Sequence, residues 1–422
     1  MKIVVTSSSF PTTDSDHVPR FVLEQVQELA KLDSQLDIYV LVPHHAYAPA
    51  MPDRTETDSH TEIRYHYAWP RTLEKLAGRG ILPALREQPL RYLLIPFFLA
   101  AQRRALARLV RELQPDLIYA HWFMPQGLIA SNISHAYAVP YMFTTHAADV
   151  SVLRRLPFSR QLVARALRRA ACFTAVSERT ASKLRDMFDD VEWNSQFASK
   201  LSIIPMGTSL AMPDLPADDV RKLLTAFGIG GDQNYILGLG RLSEKKGFDY
   251  LIDAYSELSP ERRQKYQLVV AGDGQSAAAL KERASARGVA DTTVFTGYVN
   301  GELKQALLQK AVTFVLPSII DQSGDSEGMP VVLMEALAAG KWVVASDVSG
   351  AEEILHDECG ILVPQRSSEA LAAAIEDLLN CDEETMLARS RAARELADQF
   401  AWESIARRHL QLIKLAGRSG LS

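Results

Sequence analysis

Short apolar runs alternate with longer helix-like stretches along the whole chain, and this alternation constrains the fold more than any other feature. Apolar runs bounded by turn residues are typical of strands buried on both faces, and intervening helices allow neighbouring strands to run parallel. The pattern therefore predicts an α/β fold of two doubly wound parallel-sheet units in tandem. Strands are predicted at residues 2–6, 37–42, 116–119, 141–144, 172–176, 201–204, 235–239, 267–271, 293–296, 312–316, 342–345 and 360–363.

Helical patterns fill the intervals between these strands and set the expected domain boundaries. A chain of 422 residues with 47% hydrophobic content is long enough for two or three domains with real cores. Pro, Gly, Ser and Asp concentrate in residues 205–219, where we place the linker. The expected domains are 1–205 and 206–398, with a terminal helix at 399–422 that crosses back to the first domain. Helices are predicted at 20–32, 99–113, 247–258, 276–287, 302–310, 331–339, 369–380 and 383–416.

Composition excludes several classes of protein. The formal net charge of -5 gives no global attraction to nucleic acid. Three cysteines without metal-ligand spacing indicate reduced thiols and no disulfide bridges. The first residues read as a buried strand rather than a secretory signal, and the apolar window 93–101 is far shorter than the roughly 20 residues that a bilayer span needs. We therefore expect a cytoplasmic protein without a transmembrane helix.

Two glutamates eight positions apart, Glu327 and Glu335, enclose the run EGMPVVLME. Pro330 suits the first turn of a helix because its fixed φ fits there and its missing N–H would have no intrahelical partner. The free amides at such a helix end, together with its dipole, form a site for phosphate. The amides expected to take part are those of Met329, Val331 and Val332. The run predicts a sugar nucleotide site with hydroxyl-binding carboxylates on either side of a diphosphate.

Two cations follow the strand YILGLG, at the edge where open α/β sheets bind ligands. Arg241 and Lys246 could there neutralise a leaving diphosphate. The alternative is an exposed charged turn without a ligand. Gly238 and Gly240 also begin a dinucleotide fingerprint, but its third glycine is replaced by Ser243, so we discount an NAD site.

Further candidates follow other predicted strands. The segments AGDGQ and FTGYV, which contain Gly272 and Tyr298, place glycine turns where backbone can meet a base or ribose, although isolated motifs of this kind are ordinary βα turns. In the first domain His146 follows the strand YMFTT, and Asp149 could orient its ring. A lone histidine in such a loop can equally be structural.

Two stretches are locally basic and could adhere to anionic lipid headgroups. A solvated helix face is the alternative for both. A peripheral contact with the inner face of the membrane is therefore an open expectation. The arginines concerned are Arg103, Arg104, Arg108 and Arg111 in one stretch, and Arg154, Arg155, Arg160, Arg165, Arg168 and Arg169 in the other.

Taken together, these residues resemble retaining glycosyltransferase family four, whose members have the GT-B fold of two Rossmann-like domains facing across a cleft. The resemblance covers nearly the whole chain and is strongest from 236 to 364, where the motifs occur in the family's order and spacing. The segments FPTTDSDHVPRFVLEQVQEL and YAHWFMPQGLIAS are similar to members that build bacterial exopolysaccharide, teichuronic acid or lipopolysaccharide. The segments that carry the resemblance are GRLSEKKGFDYLIDA, VVAGDG, FTGYV and EGMPVVLMEALAAGKWVVAS.

The resemblance implies roles for the candidate residues. Arg241 and Lys246 would hold the donor diphosphate without a metal ion or other cofactor. Glu335 would bind the ribose, whereas Glu327 and His146 would contact the transferred sugar. The base would lie along Tyr298 and Val299, with a backbone contact from Gly272. On the acceptor side the candidates are His121 and Asp149.

The chain departs from the family pattern at three places that bear on these roles. One is the order Gly328-Met329-Pro330 where the family commonly has a further glycine, so residue 330 has no N–H to donate. The first loop, SSSFPTTDSDHVP, lacks the Gly-Gly pair that many members place near the diphosphate, so the resemblance implies no glycine contact from that loop to the donor. The family's His-Gly-x-Asp becomes His146-Ala147-Ala148-Asp149, which keeps both of its polar residues.

The expected activity is hexosyl transfer, with retention of configuration, from a UDP- or GDP-sugar to a saccharide or lipid-linked saccharide, in cell-surface polysaccharide biosynthesis. A non-catalytic sugar-nucleotide-binding protein and an NAD-dependent oxidoreductase are the alternatives.

Overall fold

The computed structural model describes residues 1–12, 18–47, 51–78, 80–146, 158–208, 214–230, 233–322, 330–348 and 350–418. The chain divides into two compact units, one formed by Met1–Gly207 with Trp402–Ser422 and the other by Thr208–Ala401. Each unit is built on one sheet. The strands are β1 Lys2–Thr6, β2 Asp37–Pro43, β3 Arg54–Glu56, β4 Thr61–Tyr65, β5 Leu117–His121, β6 Tyr141–Thr145, β7 Cys172–Ala175, β8 Leu201–Ile203, β9 Asn234–Leu239, β10 Tyr266–Ala271, β11 Thr293–Gly297, β12 Thr313–Leu316, β13 Val343–Ser346 and β14 Gly360–Val363.

All but the last three helices of the described residues fall between these strands, as a parallel sheet requires, and those three follow β14. They are α1 Phe21–Leu32, α2 Ile81–Glu87, α3 Ile95–Leu113, α4 Leu128–Tyr137, α5 Ser159–Arg169, α6 Glu178–Arg185, α7 Asp190–Gln196, α8 Ala217–Ala226, α9 Phe248–Glu257, α10 Pro260–Lys265, α11 Ala277–Ala286, α12 Gly301–Lys310, α13 Val331–Ala338, α14 Ser368–Leu379, α15 Glu383–Asp398 and α16 Trp402–Arg418.

The twelve predicted strands are all confirmed within two residues, whereas β3 and β4 were missed. Both missed strands are short and rich in charge, and β3 pairs antiparallel at the sheet edge, where an apolar run is not required. The sheet of the first unit has the order β3-β4-β2-β1-β5-β6-β7-β8, with its other pairs parallel. The order reverses direction between β1 and β5, so ligands are expected outside the carboxyl ends of these two strands.

The sheet of the second unit has the order β11-β10-β9-β12-β13-β14, and its pairs are parallel. This is the strand order of a dinucleotide-binding Rossmann sheet, and its switch point lies between β9 and β12. The strands read as continuous apolar runs because helices cover both faces of the sheet. One buried cluster joins Ile236, Leu268 and Val344 to the apolar faces of α9 and α14.

Helix α16 packs on the sheet of the first unit. Ala406, Ile413 and Ala416 lie in the same buried cluster as Ile3 and Leu29. Its first residue, Trp402, is also anchored there, because the indole Nε1 donates to a carboxylate oxygen of Glu24 at 2.9 Å. A Cβ added to Gly207 would come within 2.3 Å of that indole ring, so the chain passes close against Trp402.

Two predicted helices begin or end elsewhere than predicted, and the predicted linker, which contains the division between the units after Gly207, extends into a helix. The stretch 383–416 is two helices rather than one, since α15 ends at Asp398 and α16 begins at Trp402. The linker 205–219 runs into α8, whose first turn holds Asp218 and Asp219, residues that suit the positive end of a helix. Helix α3 begins at Ile95 rather than 99, because Pro96 fits its first turn.

Two further expectations concern the thiols and the membrane. Cys172, Cys359 and Cys381 are free cysteines. Across the described residues, the structure has no helix that is both long enough and apolar enough to span a bilayer.

Candidate active site

The loops after β9 and β12 meet at the switch point of the second unit. Gly247 adopts a φ of +62°, and a Cβ there would lie only 2.0 Å from the carbonyl oxygen of Pro317. The amide of Ile319 donates to the carbonyl of Lys245 at 2.9 Å. Because the two loops are joined through their backbones, side chains from both are held at one edge of the sheet.

Lys246 lies in this joined loop and is 7% exposed, whereas the neighbouring Arg241 is exposed. A Cβ at Gly240 would lie 3.2 Å from Cε and 3.4 Å from Nζ of Lys246. The lysine side chain therefore runs along the backbone at the carboxyl end of β9. A buried cation at a switch point is a site for an anionic group, because the low dielectric strengthens its attraction for charge.

The glycines of this region have packing roles. Gly272 has a φ of +140°, and a Cβ there would approach the carbonyl oxygen of Gly240 to 1.9 Å. Close contact between the ends of β9 and β10 thus requires glycine at 272, whether or not its backbone also meets a ligand. A Cβ at Gly238 would lie within 3 Å of Phe248 and Leu251, so this glycine allows α9 to pack on β9. The close packing around Gly238 and Gly240 therefore explains both glycines of the incomplete dinucleotide fingerprint.

Helix α13 begins directly after Pro330, as the sequence predicts. Val331 and Val332 lie in its first turn, where backbone amides have no intrahelical partner. Glu335 lies one turn further, and the ammonium of Lys304 on α12 donates to its Oε1 at 2.6 Å. The side chains of Lys304 and Glu335 are 27% and 16% exposed, so the pair is largely shielded from water. Lys304 thereby fixes the orientation of the Glu335 carboxylate.

Two of the predicted site residues follow β11, and three others lie outside the described residues. Tyr298 is 52% exposed just after β11, while the next residue, Val299, is buried at 9%. Glu327, Met329 and Asp149 lie outside the described residues.

Sequence reasoning missed two buried hydroxyls beside the switch point. Ser243 follows β9 and Ser318 follows β12, and the described residues provide no hydrogen-bond partner for either Oγ. An unpaired buried hydroxyl is costly unless a ligand or water completes it. Serine in a loop carries no distinctive sequence signal, and only the strand order brings these two loops together. Lys304 was missed for the same reason.

His121 and His146 come together at the switch point of the first unit. His121 ends β5 and His146 follows β6, and His121 Nδ1 lies 3.4 Å from His146 Nε2. The imidazole of His146 also packs against the rings of Phe21 and Trp122, with centroids 5.1 and 4.9 Å away. Trp122 adopts a φ of +68°, uncommon for a residue with a side chain, which marks the sharp turn after β5.

Burial keeps this histidine group neutral. Desolvation lowers the pKa of His146 to about 3 and drives the pKa of His121 well below its ordinary value. A third histidine, His409 of α16, has its Nδ1 3.3 Å from the hydroxyl oxygen of Tyr119. Burial lowers the pKa of His409 to about 3. Neutral imidazoles accept and donate hydrogen bonds without charge, which suits the recognition of sugar hydroxyls.

Two buried polar side chains lie at the end of β5 and in the segment that follows it. His121 Nε2 and both amide atoms of Gln126 have no hydrogen-bond partner among the described residues. His121 is the last residue of β5, and Gln126 lies five residues later. Ligands are expected outside this carboxyl end of β5. The region therefore has unused hydrogen-bonding capacity that a polar ligand could take up.

His44, Asp53 and His66 are a group whose ligand atoms lie within 4.8 Å of one another, as a metal site would require. Asp53 Oδ1 lies 2.9 Å from His44 Nε2 and 3.5 Å from His66 Nε2, and Glu74 accepts from His66. The two imidazoles, however, stack in parallel with centroids 3.8 Å apart. Lone pairs in parallel planes do not converge on one ion, so this arrangement is a stacked pair of imidazoles that are hydrogen-bonded to the carboxylates of Asp53 and Glu74.

Comparison with known proteins identifies the class. A family model described as glycosyl transferases group 1 matches residues 219–396, and one described as glycosyltransferase family 4 matches residues 18–210. A protein of Bacillus subtilis (strain 168), described as a candidate teichuronic acid biosynthesis glycosyltransferase, TuaC, is 30% identical over 383 residues. That alignment covers 89% of this chain and 88% of the relative. The chain belongs to glycosyltransferase family 4, the group 1 glycosyltransferases.

Solved structures agree on the fold. Sucrose-phosphate synthase from Thermosynechococcus elongatus superposes with a TM-score of 0.72 at 21% identity, covering 98% of each chain. Anabaena HepE in complex with UDP-glucose gives a TM-score of 0.67 at 18% identity, covering 98% of this chain and 99% of that one. The protein is therefore a glycosyltransferase with a GT-B fold.

Proposed function

We propose that this glycosyltransferase transfers a hexose from a nucleoside diphosphate sugar to a hydroxyl of a saccharide or lipid-linked saccharide. The observation that carries the proposal is the position of Lys246, a buried cation beside Gly240 at the switch point of the second sheet. A cation fixed there can neutralise the diphosphate that leaves when the glycosidic bond forms. Arg241, in the same loop, adds a second positive charge.

The remaining donor contacts are proposed from the same unit. The first amides of α13 would bind phosphate oxygens, and the Glu335 carboxylate, oriented by Lys304, would accept hydrogen bonds from ribose hydroxyls. Ser243 and Ser318 supply hydroxyls that lack partners among the described residues. Glu327 would contact the transferred sugar. We propose that no metal ion is needed, because the two cations and the helix end supply the positive charge.

The proposed stereochemistry rests on a front-face substitution, in which the acceptor attacks the side of the sugar that the diphosphate leaves and no protein nucleophile takes part. We propose that a diphosphate oxygen takes the acceptor proton on the face from which it departs, so the product keeps the anomeric configuration of the donor. In the first unit His146 and His121 are proposed to bind sugar hydroxyls as neutral imidazoles, since burial lowers the pKa of each.

The names of relatives support the substrate classes. HepE was crystallised with UDP-glucose, and a Mycobacterium tuberculosis relative, 30% identical over 71% of this chain and 76% of its own length, is named as a GDP-mannose-dependent phosphatidylinositol monomannoside mannosyltransferase. A UDP- or GDP-sugar donor is therefore proposed. The name of the TuaC relative supports a role in cell-surface polysaccharide biosynthesis. A position at the cytoplasmic side of the membrane is part of the proposal.

A binding and turnover experiment tests the proposal. Thermal unfolding is measured with UDP, GDP, ADP and their sugars, since a ligand at 100 times its Kd stabilises the native state by about 2.7 kcal/mol. Turnover of the stabilising donor is then followed by NMR with and without EDTA. We expect one diphosphate to stabilise the protein and the product to keep the donor configuration with EDTA present. Strict dependence on a divalent ion, an inverted product, or no stabilisation by any nucleotide would refute the corresponding part.

A further inference from the structure

The segment Pro89–Leu94 and the start of α3 expose large apolar side chains. Pro89–Leu94 is a 3-10 helix that continues directly into α3 at Ile95. Because residues three apart eclipse in a 3-10 helix, Leu90 and Leu93 lie on one edge, and Phe97 follows one helical turn later. The exposed fractions are 71% for Leu90, 58% for Tyr92, 71% for Leu93 and 64% for Phe97. These four residues are called the apolar tip.

The exposure of the apolar tip does not arise from poor packing of the helix beneath it. The opposite side of α3 is fully engaged with the core, through Phe98, Leu106 and Leu109 among others. The ring of Phe98 lies against the ring of Tyr67, with centroids 5.0 Å apart. A segment this well anchored holds its exposed apolar side chains in place. Large contiguous apolar patches on a soluble surface mark sites of interaction.

Arginines continue along the same face of α3 behind the apolar tip. Arg104 lies seven residues after Phe97, Arg108 four residues further and Arg111 three further, so they share one side of the helix. Arg103 is exposed beside them. Within the described residues, the structure pairs none of Arg103, Arg104 and Arg108 with a carboxylate.

The charge around the apolar tip is strongly positive in a chain that is negative overall. Residues 81–113 contain six arginines and only two glutamates, whereas the whole chain has a formal net charge of -5. Both glutamates have cationic neighbours, because Glu87 pairs with Arg91 at 2.6 Å and Glu112 lies 4.0 Å from Arg54. A positive surface around an apolar tip complements a negatively charged surface with an apolar interior, which is the structure of an anionic lipid bilayer.

The second basic stretch has a different environment. On α5, Arg160 donates to Glu192 at 2.6 Å, and Arg168 lies 3.9 Å from the same carboxylate. Arg169 donates to the amide oxygen of Asn132 at 3.3 Å. Arg154 and Arg155 lie outside the described residues. The described arginines of this stretch that have such partners belong to a solvated helix face. The two basic stretches look alike in sequence but differ in the partners of their arginines.

We propose that the apolar tip inserts into an anionic membrane surface while the arginines of α3 bind lipid phosphates. Insertion of apolar side chains by roughly 5–10 Å places a helix at the boundary between headgroups and acyl chains. With α3 lying along that boundary, its arginine face meets the headgroups. This binding depends on lipid alone, so it can be measured without any sugar nucleotide and stands or falls separately from the proposed donor.

Sedimentation with vesicles tests the proposal on the full chain. Wild-type protein is mixed with phosphatidylcholine vesicles, with and without about 30 mol% phosphatidylglycerol, at salt concentrations from about 0.05 to 0.5 M. We expect binding to the anionic vesicles, little to the zwitterionic ones, and progressive release by salt. Arg104→Glu with Arg108→Glu should weaken binding by about 25-fold or more, since each basic residue near such a surface contributes roughly fivefold.

Apolar variants and matched controls separate insertion from charge alone. Leu93→Ser with Phe97→Ser should weaken binding to anionic vesicles by at least about tenfold at high salt, where screening leaves the apolar contribution. Val191→Ser with Leu387→Ser, which alters side chains that are 79% and 54% exposed elsewhere, should bind like wild type. The melting temperature without added ligand should be unchanged in all of these variants, which establishes that they fold.

Three outcomes would overturn the proposal. The first is a failure of the wild-type protein to sediment with anionic vesicles. The second is equal binding by wild type and the Leu93→Ser, Phe97→Ser variant. The third is a concentration-dependent dimer that this variant abolishes in light scattering, which would identify a second copy of the chain as the occupant of the apolar tip.

Discussion

Removing the charge of Lys246 is the most direct test of how this enzyme stabilises its leaving group. The lysine is 7% exposed and runs along Gly240, so its ammonium acts in a medium of reduced dielectric. Lys246→Met keeps the apolar stem and removes the charge. Two unit charges about 4 Å apart interact by about 4 kcal/mol at an effective dielectric of 20, which corresponds to about 10³-fold in rate.

The exposed position of Arg241 gives an internal comparison. At the dielectric of water the same separation is worth about 1 kcal/mol, so Arg241→Met should lower kcat/KM only about fivefold. Lys245→Met is the matched control, because it removes the same charge from the adjacent position in the loop. Its backbone carbonyl, which accepts from Ile319, is unaffected by the substitution.

The assay is steady-state transfer with the donor that gives the largest thermal shift, alongside thermal unfolding of each variant. We expect kcat/KM to fall by about 10³ for Lys246→Met, about fivefold for Arg241→Met and little for Lys245→Met. The reasoning fails if folded Lys246→Met keeps kcat/KM within about threefold of wild type, or if the Lys245→Met control loses as much.

Three further predictions follow from other parts of the structure. Lys304→Met should raise the donor KM about tenfold with a smaller change in kcat, because the Glu335 carboxylate loses the partner that orients it; Lys310→Met on the same helix is the control, and equal kinetics for the two would contradict this role. His409→Gln should make the free energy of unfolding less dependent on pH below 6.5. The native pKa of His409, about 3, lies below its pKa of 6.5 in the unfolded chain, so only the unfolded state binds a proton as the pH falls below 6.5, and the native state loses stability. By pH 5 this amounts to about 2 kcal/mol, measured by urea unfolding, and an unchanged pH dependence would refute it. Glu327→Ala should lose both transfer and donor hydrolysis while nucleoside diphosphate affinity is nearly kept, and retention of donor hydrolysis would count against contact with the sugar.

The strand order of each sheet explains where the candidate binding groups of the two units lie. Among the described residues, the parallel strands of each sheet reverse their order once, and both candidate sites lie at the reversal. At such a point neighbouring loops leave in opposite directions and open a space between them. His121 Nε2 in one unit and the hydroxyls of Ser243 and Ser318 in the other have no hydrogen-bond partner among the described residues, and they lie beside these reversals.

The sequence by itself determined the elements that depend on local periodicity. Buried parallel strands are continuous apolar runs, which is why all twelve predicted strands were found, and Pro330 marked the start of α13. It also determined which charged residues follow β9, since Arg241 and Lys246 are fixed by chain order. Strands β3 and β4 escaped because edge strands with polar faces lack that periodicity.

Only the tertiary structure decided which distant residues meet. The pairing of Lys304 with Glu335, the approach of His121 to His146 and the burial of His409 depend on strand order and on the packing of α16. The two basic stretches likewise look alike in sequence. Only the carboxylate partners of Arg160 and Arg168 distinguish the second stretch from the exposed arginines of α3. Local patterns report whether a residue is buried, whereas contacts between loops arise from the order in which strands assemble, which no local pattern encodes.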